Sequence, residues 1–146
     1  QKVNWKDLDF IIVDMPPGTG DTQLTFSQEI KMDGAIIVST PQEVALLDVK
    51  RGIKMFDKLG VNILGLVDNM SYFIGDDNKK YKIFGEGGVK KTAEEFNKKF
   101  LGEIPINSEV GKCGDDGKPI VESNPEHEIS KIYLSFAKKI KSIYLP

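Results

Sequence analysis

Asp14 stands directly after four apolar residues, Phe10-Ile11-Ile12-Val13, and directly before Met15-Pro16-Pro17-Gly18-Thr19-Gly20-Asp21. A carboxylate at the end of an apolar strand lies at the edge where an α/β sheet carries its chemistry. Such a group suits Mg²⁺, held through water because this small cation dehydrates reluctantly. The turn that follows is stiff at Pro16-Pro17 and permissive at Gly18 and Gly20, where backbone N–H groups can approach a phosphate with no Cβ in the way. A loop of that kind can sense a γ-phosphate and move when it leaves. A polar strand end and a tight turn account for any one of these residues more simply. The complete string, set on an apolar run, favours the acidic half of a Mg–nucleotide site. No G-x-x-x-x-G-K-[ST] phosphate loop occurs in the 146 residues, so the phosphate-gripping half is expected upstream. The opening Gln1-Lys2-Val3-Asn4-Trp5 accordingly reads as an interior start in a longer protein.

Asn69, in Asp68-Asn69-Met70-Ser71, offers a donor and an acceptor together, which suits the edge of an adenine. A turn residue closing a strand is the competing account. Gly85-Glu86-Gly87-Gly88 can cradle an anion at the start of a helix, or simply link two elements. It misses the phosphate-loop pattern: with Lys91-Thr92 as the Lys-Thr pair, Lys90 occupies the second glycine position and its side chain would crowd the phosphates. Cys113 and His127 are the sole Cys and His, too few for a zinc or iron–sulfur site within one chain. Cys113 is expected to be structural or incidental, and His127, in the first turn of the last helix, to face solvent. The tail from Lys138 is basic and amphipathic. Such a helix can lie on an anionic membrane; packing on its own domain with lysines in water is the expected outcome.

The elements that must position these residues alternate between strand and helix. Residues 10–13 read as a buried strand, 22–31 as a short helix, 35–38 as a second buried strand. Thr40-Pro41-Gln42-Glu43 carries a helix start, with Thr40 as cap, Pro41 at the first helical position and Glu43 closing a capping box. The helix is expected to run to about Leu59, with Leu46, Val49, Ile53 and Phe56 at helical spacing and Gly60 as its stop. Residues 61–67 read as a third buried strand, 72–84 as a hairpin or loop centred on Gly75-Asp76-Asp77-Asn78, 89–97 as a helix and 100–104 as a strand ending at Pro105. Ser108 starts a short helical turn, 111–119 is expected to be irregular, and Asn124-Pro125 caps a last helix with an apolar stripe. The alternation argues for one domain, residues 1–146, built on a parallel sheet flanked by helices. Its polar signals gather at the carboxyl ends of the strands.

Composition narrows the classes. Hydrophobic residues make up 40% and charged residues 29%, with a formal net charge of −2, so no nucleic-acid partner is expected. One cysteine permits no internal disulfide and suits a reducing compartment. No apolar run reaches the roughly 18 residues of a spanning helix.

Several stretches together resemble the C-terminal part of the Mrp (ApbC-like) family of P-loop ATPases, iron–sulfur cluster carriers related to the MinD/ParA division-site and partitioning ATPases with a deviant Walker loop. They are residues 11–21, Ser39-Thr40-Pro41-Gln42-Glu43-Val44-Ala45-Leu46-Leu47-Asp48, Asp68-Asn69-Met70-Ser71-Tyr72-Phe73, Ile83-Phe84-Gly85-Glu86-Gly87-Gly88, Gly102-Glu103-Ile104-Pro105 and Gly117-Lys118-Pro119-Ile120-Val121. The resemblance implies ATP and Mg²⁺ as cofactors, with Asp14 associated with the metal through water. It implies that Pro17, Gly18, Thr19 and Gly20 form a switch beside the γ-phosphate, that Asn69 reads the adenine and that Pro105 lies against the base. It implies a homodimer that delivers clusters to client apoproteins, in the cytoplasm or, in a eukaryote, the mitochondrial matrix. The parent protein would be an ATPase; this chain lacks the N-terminal phosphate-loop unit, carries no confident catalytic residue and is expected to be inactive alone. Many members carry C-x-x-C between the Tyr-Phe and Phe-Gly-Glu-Gly-Gly segments, whereas Ile74-Gly75-Asp76-Asp77-Asn78-Lys79-Lys80-Tyr81-Lys82 holds no cysteine. Asp and Asn are poor substitutes for thiolate on iron. No iron–sulfur ligands are therefore assigned: either a cluster is held elsewhere, or the role is ATP-dependent without direct cluster holding. The alternative is an ATP-dependent positioning or partitioning switch of the MinD/ParA kind.

Overall fold

The computed structural model describes residues 3–16 and 20–145, the side chains at 21–23 excepted. Its elements in order are α1 (Asp21–Glu29), β1 (Ala35–Ser39), α2 (Glu43–Lys58), β2 (Ile63–Asn69), β3 (Phe73–Ile74), β4 (Lys80–Tyr81), α3 (Gly88–Glu95), β5 (Phe100–Ile104), α4 (Ser108–Asp115), α5 (Ile120–Ser123) and α6 (Glu128–Tyr144). β1, β2 and β5 form a parallel sheet in that spatial order, with β2 central and buried along six of its seven residues. A parallel central strand has both faces covered, which is why Ile63-Leu64-Gly65-Leu66-Val67 is an unbroken apolar run.

Each face has its own core. On one, Leu46, Val49 and Ile53 of α2 and Val89 and Ala93 of α3 close over Ile63 and Leu66. On the other, Ile120 and Ile129 pack on Val67, Leu101 and Ile104, with Tyr133 and Phe136 of α6 alongside. Gly65 sits at the tightest point between strands: a Cβ there would lie 2.6 Å from Leu101 Cγ. Lys50 pairs with Glu95 at 2.6 Å, so an ion pair ties α2 to α3; Lys98 just past α3 pairs with Asp57 of α2 at 2.6 Å.

Four expectations are corrected. Residues 10–13 form no strand, and they are exposed, Ile12 by 93%. A strand exists through its ladder, and this segment pairs with no described strand; its nearest ring contact is Phe10 against Tyr144 of α6, edge to face at 6.3 Å. The second helix starts later than its capping motif implies. Its cap position is Gln42, with no side-chain cap bond, and the Thr40 hydroxyl donates instead to the Gln42 side chain at 3.3 Å. Residues 111–115 are helical, not irregular, because Asn107 caps α4 by accepting from the Glu109 N–H at 2.8 Å. The last helix begins after His127, not at Asn124-Pro125, since Asn124 ends the short α5. The hairpin is present, with β3 and β4 antiparallel around the Gly75–Asn78 tip.

Candidate functional site at the strand carboxyl ends

β2 and β5 end side by side, and their exits are stitched together. Asn69 is in register with Ile104, so Pro105 follows directly beside it. One residue on, Met70 takes a left-handed conformation (φ 55°), and the chain turns so that Ser71 faces β5. The Ser71 N–H and Oγ both donate to the Ile104 carbonyl, at 3.0 and 3.1 Å, and the Ile106 N–H donates to the Tyr72 carbonyl at 2.7 Å. The two residues expected near the base, Asn69 and Pro105, are thus brought together, both half-buried and at one rim of the sheet.

Asp14 is exposed, on the segment that precedes α1 and outside the sheet. A single carboxylate with open space around it fits a Mg²⁺ that keeps most of its waters and takes its other ligands from phosphates. No group of three or more His, Cys, Asp or Glu among the described residues can hold a metal by itself. Pro17, Gly18 and Thr19 lie outside the described residues. Gly20 is the cap position of α1, its carbonyl accepting from the Leu24 N–H at 3.1 Å; a Cβ there would meet open space. Its glycine identity is therefore not required by packing in this chain.

The glycine-rich turn 85–88 is held by contact with the second-helix start. Gly85 and Gly87 have φ of 109° and 66°, and a Cβ on Gly88 would lie 2.7 Å from the Pro41 carbonyl oxygen and 2.6 Å from Leu46 Cδ1. Gly88 thus serves close packing of one turn on another, while Gly85 and Gly87 supply the positive φ of the turn. The Lys82 ammonium meets the Glu86 carboxylate directly and holds the latter below the usual carboxylate range.

The hairpin is rigid at its tip. Asp77 accepts from the Lys79 N–H at 3.1 Å and from the Tyr81 hydroxyl at 2.9 Å, and the backbone bond to Lys79 leads in holding its carboxyl below the ordinary value. The Lys80 ammonium lies 4.1 Å from the centre of the Tyr72 ring. Nothing in this donor set suits iron: the side chains present oxygen and ammonium groups, no thiolate.

One residue, Asp68, escaped the sequence reading, and another, His127, is corrected. Asp68 is buried, and its carboxyl is pushed up to about 6, first by burial, then by Glu103, against the pull of Lys82. The signal was its place directly after the apolar run 63–67, one residue before the end of β2. His127 does not face solvent freely: its Nδ1 accepts from the Ile129 N–H at 3.2 Å as the cap of α6, and its Nε2 lies 3.4 Å from Glu109 of α4. Cys113 packs half-buried beside the core under α6, as a structural residue would.

The family model described as ParA, NUBPL iron-transfer P-loop NTPase, matches residues 1–141. Among curated relatives, the iron–sulfur cluster carrier protein of Synechocystis is 52% identical over 95% of this chain and 40% of its own length. The iron–sulfur protein required for NADH dehydrogenase of Arabidopsis mitochondria is 50% identical over 94% of the chain and 44% of its own length. Among solved structures, a nucleotide-binding protein of Archaeoglobus fulgidus in complex with ADP superposes with a TM-score of 0.70 at 40% identity, covering 78% of this chain and 47% of that one. The cell division ATPase MinD of Pyrococcus furiosus superposes at 0.59 with 22% identity, over 76% of this chain and 43% of its own, a likeness of fold. The chain spans less than half the length of each of these relatives.

Proposed function

Because the chain belongs to the NUBPL iron-transfer P-loop NTPase family, we propose that it supplies one half of the ATP site of an iron–sulfur cluster carrier. The observation that carries this reading is the paired strand exit that sets Asn69 beside Pro105. Asn69 offers its amide to the adenine edge and Pro105 flanks the base. Asp14 holds a water of the Mg²⁺ shell, and the 17–20 turn follows the γ-phosphate. Bound Mg²⁺ neutralises charge building on the phosphates. The phosphate-gripping loop and the water-positioning group belong to a preceding unit, so this chain alone neither binds ATP tightly nor hydrolyses it. The whole protein hydrolyses ATP as a homodimer and hands clusters to apoproteins. It holds a cluster through cysteines outside the 74–82 hairpin or acts without holding one directly. Its place is the cytoplasm, or the mitochondrial matrix in a eukaryote. The iron–sulfur names of the relatives described above favour this reading over a positioning switch.

Calorimetry with ATP and Mg²⁺ tests the split site, on this chain and on the chain joined to the upstream portion of its own protein. Binding by the longer protein alone is the expected result, and Asp14→Ala there should cost at least tenfold in turnover. Tight binding by the 146-residue chain would place the phosphate grip within it and overturn the assignment.

A further inference from the structure

Asp68 is an acid for which the proposed function has no use. Its surface is 1% exposed, and its Oδ1 has no hydrogen-bond partner among the described residues. Strand alternation turns it away from Asn69 and onto the side of Leu66, the face covered by α2 and α3. A carboxylate buried there without a partner is costly to ionise, and taking up a proton relieves the cost.

The charged groups around it fall into a short series. Glu103 is its register partner on β5 and opposes a second negative charge. Lys82, on the segment between β4 and α3, favours that charge, yet its ammonium is in contact with Glu86 four residues on. Glu86 is influenced in turn by Lys91 of α3. β1 brings no charged side chain along Ala35–Ser39, and the nearest acid of α2's first turn, Glu43, is exposed, as is Lys90 in the first turn of α3. Lys82 therefore acts on two carboxylates: it touches the exposed Glu86, and its charge favours ionisation of the buried Asp68, which can lose its own.

We propose that Asp68 is a proton-binding switch beneath the sheet rim, and that its charge state sets whether Lys82 is shared with the sheet or left to Glu86. With Asp68 ionised, Lys82 is drawn inward and segment 82–88 is held onto the strand ends. With Asp68 protonated, Lys82 belongs to Glu86 alone and the segment keeps its packing of Gly85 and Gly88 on Pro41 and Leu46. Since segment 82–88 joins the hairpin to α3, the hairpin's hold on the sheet follows the proton. This inference needs no nucleotide and stands apart from the ATP reading.

The test is an NMR titration of the protein from pH 4 to 8. It follows the Asp68 side-chain carboxyl carbon, the Lys82 side-chain nitrogen and the backbone amides of 85–88. The expected result is an Asp68 midpoint near 6, with the Lys82 and turn signals moving at the same midpoint. Glu103→Gln should lower that midpoint and Lys82→Gln should raise it. Asp68→Asn should abolish the shared transition; if that variant does not fold, the other two carry the test. An Asp68 midpoint in the ordinary aspartate range overturns the proposal. So do Lys82 and turn signals without the common transition, or a midpoint that ignores both neighbouring substitutions.

Discussion

Ser71 joins two strand ends by giving both its donors to one acceptor, the Ile104 carbonyl. Ser71→Ala removes the hydroxyl bond and keeps the backbone one, so no donor is orphaned. The expected loss is about 1 kcal/mol, read as a lower urea midpoint with unchanged slope. Asp68 acts in the opposite direction. Its folded value of about 6 exceeds the ordinary 3.8, so the folded state binds the proton more tightly than the unfolded chain. Stability is thus unaffected by this group below pH 3.8, falls as pH rises from there to about 6, and is flat above. The cost reaches up to about 3 kcal/mol. Asp68→Asn, which cannot ionise, should match the native protein near pH 4 and exceed its melting temperature progressively up to about pH 6. A melting-temperature difference that shrinks with rising pH would contradict this. The placement of Asn69 and Pro105 at strand carboxyl ends was legible because each follows an apolar strand-like run. The burial of Asp68 was not, because it depends on α2 and α3, elements before and after its strand in sequence, closing over it together.

At the scale of elements, two glycines should respond oppositely to the same change. Gly52 lies inside α2 with nothing within 4 Å of where a Cβ would stand, so Gly52→Ala should stabilise by about 0.5–1 kcal/mol through helix propensity. Gly65 lies on the central strand with Leu101 Cγ at 2.6 Å and the Lys99 carbonyl at 3.0 Å. Gly65→Ala should therefore destabilise by about 1–3 kcal/mol as β5 is pushed aside. Thermal unfolding of the two variants checks both signs at once. The strands β1, β2 and β5 were readable because a buried parallel strand is a short apolar run, and α2 because its apolar residues recur at helical spacing. The start of α2 was misplaced because Thr40, Pro41 and Glu43 match a capping box in type while Thr40 spends its hydroxyl on Gln42. α4 was missed past Gly111 because its glycines argue against helix, and the Asn107 cap that outweighs them is a tertiary-independent detail easily overlooked among loop residues.

At the scale of the molecule, apolar side chains are left exposed on two segments. Residues 10–13 are exposed along their length, and Ile36 and Val38 of β1, turned from the α2 core, are exposed by 40% and 57%. β1 is also an edge of the three-stranded sheet, with one side of its backbone unpaired among the described residues. Exposed apolar strand residues beside an open sheet edge form a surface suited to receiving another strand. This is what the proposed split of the ATP site requires, since the unit carrying the phosphate loop must lie close to Asp14. Ile12 distinguishes the two situations. In this chain it is 93% exposed, so Ile12→Asp should change the unfolding free energy by no more than about 0.5 kcal/mol. It should also reduce binding of a hydrophobic dye. In the protein extended upstream, where the proposed unit covers residues 10–13, the same substitution would bury a carboxylate in an apolar interface and should cost more than about 3 kcal/mol. Equal small effects in both proteins would mean that segment 10–13 stays uncovered, and that Asp14 meets its nucleotide in some way other than across a completed sheet.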